Sequence, residues 1–239
     1  MQKFNPVIDV GASVRLLCLT LALCLLLCSA PGQMASAQEL TPVLLVPGWI
    51  DSEEDLLPLR ERFVEAGWSG ERVVALSFQD PVGSNRDHAQ EISAAVNRLR
   101  MEAGSDQVDI VAFSMGGLAV RHFLNVGVAT GGGRKNPVRR VAFLATPHQG
   151  TLVALMAWGD GGGEMEPGSD FITELNSYPP LPPGLGALTI RTSVDLTVVP
   201  HESATLPDVP DLVVCCPTHR GLLRDEQAFQ RVLRFLTGT

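Results

Sequence analysis

The sequence is poor in the features that mark most kinds of partner. It has no lysine- or arginine-rich run, and its 18 basic side chains are outnumbered by 26 acidic ones, for a formal net charge of −8. That balance argues against a nucleic-acid partner and against an anionic membrane surface. Arg139-Arg140 is a lone basic pair, read as a solvated strand entry. Aromatic residues are only 5% of the chain, so it offers no stacking platform for bases. Cysteine and histidine nowhere fall at metal-ligand spacing. No apolar run reaches the roughly 20 residues of a spanning helix. No internal repeat is present.

The first 37 residues set themselves apart. Lys3 and Arg15 supply positive charge, Leu16 to Leu27 is apolar, and Ala35-Ser36-Ala37 precedes Gln38 as an Ala-x-Ala cleavage pattern. This reads as an export signal, cleaved near Ala37, with an uncleaved anchor as the alternative. Cys24 and Cys28 each follow a leucine, where a lipid-attachment site wants a small residue. Residues 38–239 then form one domain carrying sixteen basic and twenty-five acidic side chains, net −9. Their two cysteines, Cys215 and Cys216, are adjacent and are read as unbridged, so no disulfide framework is expected despite export.

What is present is a strong alternation of elements. Thr41–Pro47, Arg72–Phe78, Val108–Phe113, Val138–Leu144, Leu188–Thr192 and Leu212–Cys215 read as strands. Glu54–Ala66, Asp87–Met101 and Asp225–Leu236 read as helices, with apolar residues at spacings of three and four. Strands alternating with helices predict an α/β fold: a mostly parallel, doubly wound sheet covered on both faces. Residues 146–187 differ. They hold Gly159–Gly163 and a Pro179–Gly184 run, with one short helix expected near Asp170–Asn176. A long irregular insertion at the strand ends reads as a cap-like substrate surface, with an inert loop as the alternative.

The organising stretch is Val108 to Leu118, VDIVAFSMGGL. A buried strand runs into a turn with Ser114 at its apex, flanked at two positions either side by Ala112 and Gly116, and a helix follows. Such a turn pushes a serine hydroxyl beyond the sheet edge and aims the next N–H, here Met115, at the same space. A hydroxyl is a weak nucleophile until a base takes its proton. His219 lies in the loop between the last strand and the last helix, where this architecture places a base. Asp195 follows the preceding strand by three residues; Glu202, Asp208 and Asp211 are alternatives further along. His148 follows a strand too, but precedes Asp195, the wrong order for the base. His88, His122 and His201 read as capping, packing and loop residues. The loop after the first strand, with Gly48, brings the N–H of Trp49 forward as a second oxyanion donor.

VLLVPGW, DIVAFSMGGLAVRHFL, VAFLATPHQGT, SVDLTVVPHES and PTHRGLL together resemble bacterial lipases and esterases of the α/β-hydrolase superfamily, most of all the small secreted triacylglycerol-lipase branch. The resemblance spans about Val43 to Phe235. It implies a compact α/β-hydrolase fold, with Ser114 as nucleophile, Asp195 as acid, His219 as base and Trp49 and Met115 as oxyanion donors. It implies no metal or organic cofactor. The substrate would be a small-molecule or lipid ester, with transient contact with lipid interfaces. Glu166–Phe171 is similar to a PGS-x-Phe element of such lipases. The chain departs from the pattern at Pro47 and Phe113, where the family carries histidine, and at Ala112, where it carries glycine. An acyltransferase or thioesterase with the same triad is a second reading, and a non-catalytic binding protein on this scaffold a third.

Overall fold

A computed structural model of the chain describes residues 1–3, 40–127 and 136–239. The expected export signal therefore lies almost wholly outside the described residues, as does the run Gly131-Gly132-Gly133, which the sequence marks as a loop before the Val138–Leu144 strand. The chain divides into two compact units, Met1–Glu39 and Leu40–Thr239, and the architecture below is that of the second.

Among the described residues six strands form one sheet: β1 (Val43–Val46), β2 (Val73–Ala75), β3 (Val108–Phe113), β4 (Val138–Leu144), β5 (Gly186–Thr192) and β6 (Asp211–Val214). Their order is β2-β1-β3-β4-β5-β6 and every neighbouring pair is parallel. The helices are α1 (Glu53–Glu65), α2 (Asn85–Glu102), α3 (Gly116–His122), α4 (Gly159–Glu164), α5 (Asp170–Ser177) and α6 (Glu226–Thr237). A π-helical turn, Phe123–Gly127, extends α3.

The near-continuous apolar strands have a direct cause. Successive side chains point to opposite faces, and both faces are covered. Val43 and Leu45, Val111 and Phe113, and Ala142 and Leu144 face one layer with Leu56, Leu59 and Phe63 of α1 and Phe229, Val232 and Leu236 of α6. Leu44, Val46, Ile110, Ala112, Val141 and Phe143 face the other, with Ile92, Val96 and Leu99 of α2 and Ala119 and Val120 of α3. Each fully buried aliphatic side chain is worth roughly 1.5–3 kcal/mol over its exposed state, so polar alternation on either face would be costly. A third, smaller cluster joins Met115 and Leu118 to Ala154, Met165, Phe171, Ile172 and Leu175 of the insertion.

Side-chain caps set where the helices begin. Ser52 and Asp55 form a reciprocal capping box at α1, and Ser84, Ser169 and Asp225 cap α2, α5 and α6. Such caps satisfy amide donors that the first turn leaves without partners.

Three expectations are corrected. The glycine run 159–163 was expected to be irregular, yet it forms α4. Tertiary contact overrides poor helix propensity here. The Gly161 N–H donates to Val82 O at 3.0 Å, and Glu164 accepts from Ser84 Oγ and from the Asn85 backbone and side-chain amides at 2.6–2.9 Å. That carboxylate fastens the insertion to the start of α2. His88 is buried rather than capping: it stacks on Phe78 at 3.8 Å between ring centroids, and its Nε2 hydrogen-bonds Asp80 O at 2.7 Å. Cys215 and Cys216, expected unbridged, are joined to each other as a disulfide.

Candidate active site

The carboxyl ends of β3, β5 and β6 bring three distant side chains together. Ser114 lies directly after β3 with φ of 51°, a left-handed conformation uncommon for a side chain beyond glycine. Its N–H still donates to Leu144 O at 2.8 Å, so sheet bonding carries the chain into the turn. The turn is closely packed against β1: a Cβ at Gly116 would lie 2.1 Å from Pro47 O. Only glycine fits there.

His219 Nε2 is 2.9 Å from Ser114 Oγ, and His219 Nδ1 is 2.8 Å from Asp195 Oδ2. The other carboxylate oxygen of Asp195 accepts from the N–H groups of Thr197 and Val198 at 2.8 and 2.9 Å. Burial alone would raise the Asp195 pKa. The His219 hydrogen bond and charge and the two amides outweigh it, and hold the carboxyl below its ordinary value. An ionised Asp195 accepts from Nδ1–H, so the neutral ring presents an unprotonated Nε2 to the serine hydroxyl. Thr192 Oγ1 donates to Pro217 O at 2.7 Å, tying the end of β5 to the loop that carries His219.

Phe113, which stands where the resembling family has histidine, packs its ring 4.8 Å from the His219 imidazole. Its role is to support the ring by contact. Trp49 donates its indole N–H to Trp158 O at 3.1 Å and meets the Trp158 ring edge-on at 4.4 Å. The loop after β1 is thus joined to the insertion. Gly48 passes so close to the nucleophile that a Cβ there would stand 2.9 Å from Ser114 Cβ. Met115 is fully buried at the start of α3.

A cavity of about 260 Å³ opens beside Ser114 and His219. Val153, Ala154, Met156, Ala157, Met165 and Val198 give it a mainly apolar wall. Thr151 Oγ1 donates to Thr197 O at 2.7 Å and accepts from the Val199 N–H at 2.9 Å, which fixes that wall to the Asp195 loop.

The remaining candidates fall elsewhere. His148 is wholly buried against the Phe143 ring, and neither ring nitrogen has a partner among the described residues. Burial, reinforced by the Arg121 charge, holds its pKa well below the ordinary value, so it is a neutral packing residue. Arg121 is itself buried. Its guanidinium donates to Leu175 O, Asn176 Oδ1 and Pro180 O, clipping the end of α5 to α3, and burial lowers its pKa to about 10. His122 meets Phe171 at 5.8 Å between ring centroids. Asp211 pairs with Arg191, and Glu202 with His201; the carboxylate that bonds His219 is Asp195.

The tertiary structure has solved counterparts. It matches Aspergillus fumigatus lipase B with a TM-score of 0.71 at 19% identity, over 83% of this chain and 52% of that one. It matches a Bacillus licheniformis lipase in mature form with a TM-score of 0.70 at 16% identity, over 83% of this chain and 93% of that one. It also matches phospholipase PlaB from Legionella pneumophila, with a TM-score of 0.66 at 16% identity, over 82% of this chain and 59% of that one. The chain has the α/β-hydrolase fold. It spans about half the length of the Aspergillus protein it matches. No family model matches the sequence.

Proposed function

We propose that this chain is an exported serine hydrolase that cleaves carboxylic esters, lipid acyl esters in particular. The observation that carries the reading is the unbroken chain of hydrogen bonds from Ser114 through His219 to Asp195 at the mouth of an apolar cavity. Neighbours of the same fold include proteins described as lipases and a phospholipase.

The steps use protein groups and water alone. Ser114 Oγ attacks the ester carbonyl carbon while its proton passes to His219 Nε2. The carbonyl π pair moves to oxygen, and the backbone N–H groups of Trp49 and Met115 hold that oxyanion. Collapse of the intermediate expels the alcohol, which takes the proton from His219. Water then repeats the sequence on the acyl-enzyme and frees the acid. Asp195 stays ionised throughout and steadies the imidazolium. Losing one oxyanion donor from such a hole typically costs about 3 kcal/mol of barrier.

The surroundings suit an apolar acyl group leaving a lipid phase. Leu152, Leu155, Met156 and Trp158 are exposed on the segment that lines the cavity, and Leu196 is exposed beside Thr197. An exposed apolar patch of this kind fits transient contact with a lipid interface. Export follows from the N-terminal pattern, with the product secreted or periplasmic.

Hydrolysis of p-nitrophenyl esters of graded acyl length tests the reading. Turnover that depends on chain length and disappears in Ser114→Ala is expected. Turnover unchanged in Ser114→Ala rules the mechanism out. Faster acyl transfer to an added alcohol or from a thioester than to water would favour the acyltransferase or thioesterase variant of the same chemistry.

A further inference from the structure

Resting on the hydrolase reading above, we propose that Asp51 and Arg220 are positioning residues, whose ion pair joins the oxyanion loop after β1 to the loop carrying the base His219. The two residues are 169 apart in the chain. Arg220 immediately follows His219, and Asp51 lies two residues past Trp49. Arg220 Nη2 bonds Asp51 Oδ1 and also lies 2.8 Å from Asp55 Oδ1. The other Asp55 oxygen accepts from the Ser52 N–H at 3.0 Å as part of the α1 capping box. The guanidinium is therefore held in a fork whose second prong is a rigid helix start.

Asp51 sits where its charge matters. Its residue is only 4% exposed, an unusual place for a carboxylate without a purpose, since removing a charge from water is costly. Its Oδ2 lies over the Gly48 backbone: a Cβ at Gly48 would stand 2.8 Å from that oxygen and 2.9 Å from Ser114 Cβ. Asp51 Oδ2 and Ser114 Cβ therefore both border the space where a Gly48 side chain would stand. Burial pushes the Asp51 pKa up, and the Arg220 charge is the chief opposing influence. Arg220 thus helps keep Asp51 ionised.

The test uses the purified protein, p-nitrophenyl butyrate, and the variants Asp51→Asn, Arg220→Gln and Arg220→Lys. Arg220→Gln should lower kcat about tenfold or more while KM stays within about threefold, because a slight misplacement of catalytic groups is costly. Arg220→Lys keeps the charge and should recover part of that loss. Asp51→Asn keeps the shape but removes the charge that Arg220 pairs with, and should lower kcat in the same way with KM again within about threefold. A merely structural residue would lower the urea midpoint without a selective loss of kcat, and would show no recovery in Arg220→Lys. Unchanged kcat in Asp51→Asn, with its urea midpoint intact, would overturn the proposal; should Arg220→Gln fail to fold, the two conservative variants carry the test. A wild-type protein that neither hydrolyses the ester nor reacts with a fluorophosphonate at Ser114 would strike the hydrolase reading itself, and this proposal with it.

Discussion

The two ends of β3 make an instructive pair. Near its start, Asp109 is completely buried and bonded by Arg139, at 2.9 Å to Oδ1 and 2.5 Å to Oδ2. Just past its end, Ser114 belongs to a chain of bonds that terminates on a second buried carboxylate, Asp195. Burial pushes both carboxyls up, yet the net outcomes are opposite. At Asp109 it raises the pKa despite the Arg139 hydrogen bond and the Arg139 and Arg140 charges. The partly exposed Arg139 is held more firmly charged by the same contact, so the cost of burial falls on the carboxyl. At Asp195 the His219 hydrogen bond and charge, with two backbone amides, overcome burial and lower the pKa. The lesson concerns donors rather than depth. Asp195 is held by rigid groups that fix an imidazole beside a cavity, whereas Arg139 also donates to Leu236 O at 2.7 Å and knits strand to helix. One end of the strand holds the fold together, and the other is proposed to do chemistry.

The comparison can be broken most severely at Ser114. Ser114→Ala should reduce kcat on the order of 10⁶-fold, the scale set by removing a serine-hydrolase nucleophile, while the urea midpoint stays near that of the wild type. Asp195→Asn should follow at about 10⁴-fold in kcat, because an amide no longer favours the required tautomer of His219. Steady-state ester hydrolysis checks both.

At the opposite end the readout should change. Arg139→Ala leaves Asp109 buried without its partner, and urea unfolding should show a loss of about 3 kcal/mol, the low end for a broken buried pair because Arg139 is itself partly exposed. The kcat/KM of the folded variant should stay within about twofold of wild type. A collapse of kcat without loss of stability would dissolve the division between the two ends.

The smallest effect is one of sign. Asp195 has a lowered folded pKa, so its stabilisation is present above the unfolded value near 3.8 and is lost as pH falls through the folded one. Asp109 has a raised folded pKa, so the stability it contributes is present below about 3.8 and is lost as pH rises through the folded value. Urea midpoints of Asp109→Asn, relative to wild type, should therefore improve as pH rises across that window. Those of Asp195→Asn should approach wild type as pH falls below about 3.8. Parallel trends in the two variants would contradict the assignment.

The sheet was legible because periodicity and turn residues are local signals. β3 and β4 begin and end at the expected residues, and the order Ser114, Asp195, His219 follows from which strand each residue trails. Contacts that depend on side chains distant in sequence left no such trace. The Arg121 clip onto Asn176, the Phe113 ring under His219 and the Asp51–Arg220 pair each join elements far apart in the chain. Residue type alone does not separate a buried arginine from one on a helix surface, or a phenylalanine that braces an imidazole from one in a strand core. α4 was missed for a related reason: glycine is a poor helix former, and Glu164 and the Val82 carbonyl that hold the turn in place lie outside the glycine run. Residue type alone did not reveal that His148 would be sealed in with no partner on either ring nitrogen among the described residues.

Reaction of the folded protein with a fluorophosphonate, read by intact mass and peptide mapping, is the most direct measurement of whether the Ser114 oxygen is activated. A single adduct on the peptide containing Ser114 is expected, absent from Ser114→Ala and formed far more slowly by His219→Ala. An unmodified folded wild type, or an adduct at another residue that persists in Ser114→Ala, would contradict the account.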